Sequence, residues 1–393
     1  MRIGILTYHF STNYGALMQA YGLRQWLISE GHEASFINYH PAYVEGSTGL
    51  RGALDPRQLK SSLKALFLRA AQLRRRLAGN PQQEKQFEQF RREVLGVSSP
   101  ALQDEREVEA FLNSPEGRFD ALICGSDQIW NPSPPKGLDR SYFLAFDSAA
   151  GDARRIAYAP SFGRGALDPR HAEEARRCIS KLDAVSVREA SGATIVKQLA
   201  GITPAVVPDP TILLGDFSAL TFCAESISEG HVFCYALRSA QGIREIAELA
   251  GETFGQPVLS PDNPHRRWRE IGITVHPSPA GWAALIERAG YVVTNSFHGT
   301  AFAILMQKPF LVAGLGGARL SLNDRALNLL RAVGLEDRFI PADRIGLARD
   351  RLLAPIDWSQ VEAALATLQE QGRSYLRREL ALAGQPERTR RTG

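Results

Sequence analysis

Tyr291-Val292-Val293-Thr294-Asn295-Ser296-Phe297-His298-Gly299-Thr300 sets four strand-forming residues before a short polar turn, and the apolar run Ala301 to Met306 follows. A strand buried on both faces of a parallel sheet reads as an unbroken apolar stretch, and Val and Thr suit its pleated backbone. Gly299 to Met306 reads as a helix and Phe310 to Ala313 as the next strand. Strand, helix and strand in that order make a βαβ unit with parallel strands.

The same rhythm runs outward in both directions. Upstream, Arg2 to Tyr8, Ala34 to Tyr39, Phe119 to Cys124, Arg155 to Ala159 and Ala184 to Val187 read as strands. Between them Tyr14 to Ile28, Arg170 to Lys181 and Glu189 to Leu199 read as helices, and Pro208-Asp209-Pro210 marks a boundary. A second series starts at the strand Val232 to Leu237 and continues with a helix Gln241 to Thr253, a strand near Pro257 to Leu259 and helices Ala280 to Ala289 and Asp324 to Val333. The expected fold class is α/β, with two Rossmann-like lobes of parallel sheet at residues 1–212 and 213–350. Residues 351–393 read as a C-terminal helix from Trp358 to about Leu382 and a polar, disordered tail. A length of 393 residues suits two such domains, and two lobes imply a cleft.

With 44% hydrophobic and 22% charged residues, the composition is that of a globular protein, and no apolar run reaches the ~18 residues of a membrane span. Met1-Arg2-Ile3-Gly4-Ile5-Leu6 leads straight into a strand without the pattern of a secretory signal, so a cytoplasmic location is expected. Cys124, Cys178, Cys223 and Cys234 are spread singly, which indicates neither a disulfide framework nor a zinc knuckle. The net charge of +4 is uneven: eleven Lys and Arg against Asp55, Glu84 and Glu88 give residues 51–92 a charge of +8. Within a helical insertion at about 51–112, Leu59, Leu63, Leu66, Ala70, Leu73 and Leu77 form an amphipathic stripe with Lys60, Lys64, Arg69, Arg75 and Arg76 largely off it. Either the stripe packs on the N-terminal lobe with its charges solvated, or the segment meets an anionic glycan or the anionic inner leaflet as a peripheral contact.

Ligands of open α/β sheets bind beyond the carboxyl ends of the strands, so the turns there are the candidate site. Asn13, Tyr14 and Gly15 open the first helix, whose free N–H groups suit a phosphate or carboxylate; the alternative is that Asn13 or Ser11 is only an N-cap. Gly125, Ser126, Asp127, Gln128, Trp130 and Asn131 follow a buried strand; Gly125 admits a close backbone approach, the polar side chains offer hydrogen bonds, and Trp130 offers a face for a sugar ring. Asn295, Ser296, His298 and Gly299 form the third turn, with His298 at a helix N-terminus as the strongest catalytic candidate. Ser161, Arg188 and Asp209-Pro210-Thr211 are individually weaker; Arg188 is the expected anion-binding group, with the Ser11 to Gly15 turn as second choice and Arg325 next in line if Arg188 is a surface residue. Neither a G-x-G-x-x-G after the first strand nor a G-x-x-x-x-G-K-[ST] occurs, which argues against nicotinamide and P-loop enzymes; H-E-x-x-H and G-x-S-x-G are also missing.

The ordered set Asn13-Tyr14-Gly15-Ala16, Gly125-Ser126-Asp127-Gln128-Ile129-Trp130-Asn131, Tyr158-Ala159 with Ser161-Phe162-Gly163, Ser186-Val187-Arg188-Glu189, Asp209-Pro210-Thr211 and Asn295-Ser296-Phe297-His298-Gly299-Thr300 resembles the polysaccharide pyruvyltransferase family across residues 1–315. The resemblance implies a glycosyltransferase-B-like fold. It implies transfer of an enolpyruvyl-derived group from phosphoenolpyruvate, as donor substrate, to a sugar or lipid-linked glycan acceptor as a ketal, with no metal or further cofactor and no nucleic-acid partner. Family members tend to carry an arginine shortly before the histidine; Ser296-Phe297 stands there in this chain, so the donor-binding arginine comes from elsewhere or the donor differs. On this reading His298 protonates the donor's methylene carbon and Asp127 takes a hydroxyl proton. Two other classes stay open: a nucleotide-sugar glycosyltransferase or epimerase on the same scaffold, and a non-catalytic membrane-surface adaptor.

Overall fold

The computed structural model describes residues 1–41, 43, 81–133, 136–147, 151–222, 224, 227–237, 242–262 and 271–383. Strands β1 (Arg2–Leu6), β2 (Glu33–Phe36), β3 (Ala121–Cys124), β4 (Arg154–Ala157), β5 (Ala184–Val187) and β6 (Ala205–Val206) form one sheet in the order β2-β1-β3-β4-β5-β6. Strands β7 (Val232–Tyr235), β8 (Val258–Pro261), β9 (Ile273–Val275), β10 (Tyr291–Thr294), β11 (Phe310–Ala313) and β12 (Phe339–Ile340) form the second, ordered β12-β11-β10-β7-β8-β9. Neighbours pair in parallel throughout, as with Ile5 opposite Ile123 and Val293 opposite both Cys234 and Leu311. The central strands β3, β7, β10 and β11 are buried along their whole length, which is why they carry apolar residues on both faces.

Connecting helices are α1 (Tyr14–Ser29), α2 (Pro81–Gln89), α3 (Glu105–Leu112), α4 (Ala172–Ile179), α5 (Ala190–Ala200), α6 (Pro210–Leu214) and α7 (Ser218–Phe222) in the first half. The second half adds α8 (Ile243–Phe254), α9 (Pro279–Glu287), α10 (Phe297–Leu305), α11 (Asp324–Ala332), α12 (Leu347–Arg351) and α13 (Trp358–Ala383). Several begin on a capping side chain: Asn13 accepts from the Ala16 N–H, Asp209 from Thr211, Ser278 from Gly281 and Ser296 from Gly299. Helix α1 crosses α6 at close range, because Gly22 has no Cβ to meet the Pro210 carbonyl oxygen, which would lie 2.5 Å from it. That crossing fixes the start of α6, and with it Asp209.

Helix α13 returns to the N-terminal lobe. Tyr375 donates its hydroxyl proton to the Ala157 carbonyl at 3.0 Å, Arg154 and Glu379 form a buried ion pair at 2.5 Å, and Arg377 holds Glu30 at 2.7 Å. The C-terminal segment is thus packed on the first sheet, where the sequence reading set it apart as a terminal unit.

Of the expected insertion, α2 runs on into a π-turn at Phe90–Val94 and buries Phe87 and Phe90. The basic stripe Leu59 to Leu77 lies outside the described residues, as do Cys223 and the tail beyond Ala383. Among the described residues, Cys124, Cys178 and Cys234 are buried and form no disulfide, and no helix is long and apolar enough to cross a membrane.

Candidate active site

Strand ends from both sheets converge on Asp209, whose carboxylate is enclosed by groups far apart in sequence. Its Oδ2 accepts from Ser126 Oγ at 2.8 Å, after β3, and from Arg188 Nη1 at 2.6 Å, after β5. Its Oδ1 accepts from the Thr211 N–H at 3.0 Å and the Thr211 hydroxyl at 2.8 Å. Burial pushes this carboxyl up, but the neighbouring His298 ring, then Arg188 and the Thr211 N–H, outweigh it and hold it well below the usual carboxylate range. Asp209 is therefore a carboxylate at any working pH.

Across the cleft His298 stands in the first turn of α10, with its Nε2 3.7 Å from Asp209 Oδ2 and making no hydrogen bond. Gly15, in the first turn of α1, faces the other side of the ring: a Cβ there would run into Nδ1 and lie 2.5 Å from Cγ. One imidazole is thus held between an α1 backbone that carries no side chain and a buried carboxylate. Phe297 packs edge-on to it and lies under the Arg188 guanidinium, 4.7 Å from the ring centroid.

Arg188 is ringed by acids. Besides Asp209, Glu189 Oε2 lies 3.6 Å from its Nε and Asp127 Oδ1 3.8 Å from its Nη2. Burial lowers the affinity of this guanidinium for its proton, but Asp209, Glu189 and Asp127 reverse that and raise it. Ser161 ties the group together by donating to Glu189 Oε1 at 2.6 Å. Asp127 adopts a left-handed backbone, φ 70°, a conformation in which Asp is tolerated, and its carbonyl accepts from the Ser161 N–H at 2.8 Å. Arg325, in the first turn of α11, reaches over from the C-terminal lobe to the Gln128 side-chain amide, 3.0 Å from Nη1 and 2.8 Å from Nη2. Burial and the nearby Arg188 both press its proton affinity down.

Other expected site residues have structural employment. Trp130 is fully buried, stacked on Phe143 at 4.7 Å and donating to the Tyr142 carbonyl at 3.0 Å, so it has no free face for a sugar. Tyr14 stacks on Trp282 and donates to the Pro277 carbonyl at 3.0 Å, joining the lobes. Asn13 and Ser296 are N-caps, and Asn295 Oδ1 accepts from the Leu237 N–H at 2.9 Å. Gly125 makes room for Thr7 Cβ at 3.0 Å, and Gly299 for Thr294 and Tyr235, so both glycines serve packing. His298 faces Asp209 across the cleft; Asp127 joins the cluster through Arg188. Asp209 stood among the weaker candidate turns as well as at the expected lobe boundary, and Glu189 in the motif with Arg188, but neither was assigned a role; the place of Asp209 after a strand and before Pro-Thr was the available signal.

Comparison with solved structures gives the UDP-GlcNAc 2-epimerase of Methanocaldococcus jannaschii, determined with UDP-GlcNAc and UDP, at 11% identity and a TM-score of 0.53, covering 97% of this chain and 99% of that one. The UDP-N-acetylglucosamine 2-epimerase of Rickettsia bellii has 11% identity and a TM-score of 0.49, covering 97% and 96%. The first likeness shows the fold, two parallel-sheet lobes arranged as in glycosyltransferase-B proteins. No curated protein matches the chain significantly in sequence. The family model described as polysaccharide pyruvyl transferase matches residues 13–315, most of the chain and every turn that meets at Asp209 and His298, and the chain belongs to that family.

Proposed function

We propose that the protein transfers the enolpyruvyl-derived group of phosphoenolpyruvate to a sugar of a cell-surface polysaccharide or its lipid-linked precursor, closing a pyruvate ketal across two hydroxyls. The observation that carries this reading is the His298 imidazole, enclosed between the lobes with Nε2 unbonded and 3.7 Å from the Asp209 carboxylate. A proton held there has a fixed counter-charge and a short path to a ligand in the cleft.

His298 gives a proton to the donor's methylene carbon, which becomes a methyl group and leaves an oxocarbenium-like centre at the neighbouring carbon. One sugar hydroxyl adds there and loses its proton; phosphate departs with its bonding pair; the second hydroxyl adds and loses its proton to complete the ketal. Among the three carboxylates around Arg188, Asp127 retains 16% side-chain exposure, against 3% for Glu189 and 0% for Asp209. Asp127 is the one an acceptor hydroxyl can reach, and it serves as the base. The acceptor lies at the cytoplasmic face of the membrane, where lipid-linked precursors are exposed.

Purified protein incubated with extracted lipid-linked glycans tests the reading. Phosphate is released from phosphoenolpyruvate in proportion to glycan modified, whereas UDP-GlcNAc supports no turnover. Consumption of the nucleotide sugar with phosphoenolpyruvate left intact overturns it in favour of epimerase or glycosyltransferase chemistry.

A further inference from the structure

Four side chains beside the Asp209 cluster form a row: Arg164, Asn131, Gln128 and Arg325. Arg164 Nη2 donates to Asn131 Oδ1 at 2.6 Å, and Asn131 Nδ2 donates to Gln128 Oε1 at 3.0 Å. That leaves the Gln128 NH₂ facing both Nη atoms of Arg325. Turning the Gln128 amide gives Arg325 its acceptor at 2.8 and 3.0 Å, but then sets the Gln128 nitrogen 3.0 Å from Asn131 Nδ2. Turning Asn131 as well moves the conflict to Arg164. Each amide passes on one hydrogen bond with a fixed polarity, so a row of two amides between two cations has three contacts but only two acceptor oxygens, and one contact always sets donor against donor.

The row lacks an acceptor, and neither arginine makes up the deficit: among the described residues neither pairs with a carboxylate, and Arg164 Nε is buried without a partner. Arg188, by contrast, is balanced by three acids. Gly163, at φ 67°, lets its loop close over the row, since a Cβ there would lie 2.5 Å from Gln128 Oε1 and 2.9 Å from Asn131 Nδ2.

We propose that this row is an anion subsite, in which Arg164 from the N-terminal lobe and Arg325 from the C-terminal lobe clamp a phosphate-type oxyanion and Gln128 and Asn131 complete its contacts. The bound oxygens supply the missing acceptor, and two guanidinium groups give the charge-assisted, forked contacts that phosphate favours. The proposal rests on the cleft being the donor site. The oxyanion belongs either to phosphoenolpyruvate or to the phosphate of a nucleotide sugar.

Calorimetric titration of the full chain with inorganic phosphate, together with thermal melting, tests the subsite without any turnover. Wild-type protein binds phosphate and melts higher in its presence. Arg164→Met and Arg325→Met each weaken phosphate binding by about tenfold or more, in keeping with the loss of one charge-assisted contact. Gln128→Glu, which builds an acceptor into the row at the same shape, melts at or above wild type without phosphate and gains nothing from it; a folded Gln128→Glu protein also decides the matter if an arginine variant misfolds. Displacement of bound phosphate by phosphoenolpyruvate assigns the anion to the proposed donor, and displacement by UDP-GlcNAc alone upholds the subsite while removing the pyruvyl-transfer reading. Equal phosphate binding by wild type and all three variants, or no binding by wild type, overturns the subsite and leaves pyruvyl transfer to be judged on turnover.

Discussion

At the scale of single residues, the site depends on one histidine held between a glycine and a carboxylate. His298→Gln keeps the shape but removes the proton donor, and turnover should fall by about 10² to 10⁴ with the donor's binding constant little changed; unaltered turnover removes the assignment. Gly15→Ala drives a methyl group into the imidazole, 2.5 Å from Cγ and 2.9 Å from Cβ. A displacement of about 1 Å in such a group costs up to about 10² in rate, so kcat should drop sharply while the protein stays folded. Asp209 makes a prediction in pH. Its folded pKa is depressed, so the unfolded chain takes up the proton first on acidification. The stability it contributes is complete above about pH 5 and is lost as pH falls through the unfolded value of about 3.9 towards the folded one. Urea melts should therefore show the gap between wild type and Asp209→Asn narrowing below about pH 4; a gap independent of pH contradicts the account. The turns that carry these residues were legible in the sequence, because strand and helix periodicity locates them. What the side chains face was not. Ser126, Arg188, Asp209 and His298 meet only because separate strands end at one place, and no local pattern encodes that a buried carboxylate will claim Arg188.

At the scale of elements, the main strands and long helices stand close to where periodicity put them, and the misses are short. Helices α6 and α7 have five residues each, strand β9 three and strand β12 two, too few for a repeat to register against flanking loops. Yet α6 is the element that carries Asp209 at its N-cap and crosses α1. Helix α13 was readable as a helix, but its destination was not, since that depends on the buried pair Arg154–Glu379. Glu379→Ala strands a buried guanidinium and should cost roughly 3–5 kcal/mol in chemical denaturation, with faster proteolysis within Trp358–Ala383. A loss below about 1 kcal/mol would show the pair to be incidental to the docking of α13.

For the whole molecule, contacts between the lobes converge on the site: Tyr14 to Pro277, Gly15 to the His298 ring, His298 to Asp209 and Arg325 to Gln128. The lobes thus meet at the same groups to which the proposed chemistry is assigned. Beyond them, residues 51–92, of which 51–80 lie outside the described residues, carry a charge of +8. Sedimentation with vesicles should increase with anionic lipid, weaken with salt and fall on neutralising Lys60, Lys64, Arg74, Arg75 and Arg76; protein left in the supernatant at low salt makes the segment structural. The central claim, that His298 protonates the donor carbon at the junction of the lobes, is tested most directly by running the reaction in heavy water and weighing the transferred group. Protonation at the methylene carbon predicts a ketal whose methyl group carries one deuterium, formed by wild type and lost with His298→Gln. A product that retains an enolpyruvyl CH₂ without deuterium, or a deuterated ketal made equally well by His298→Gln, would contradict it.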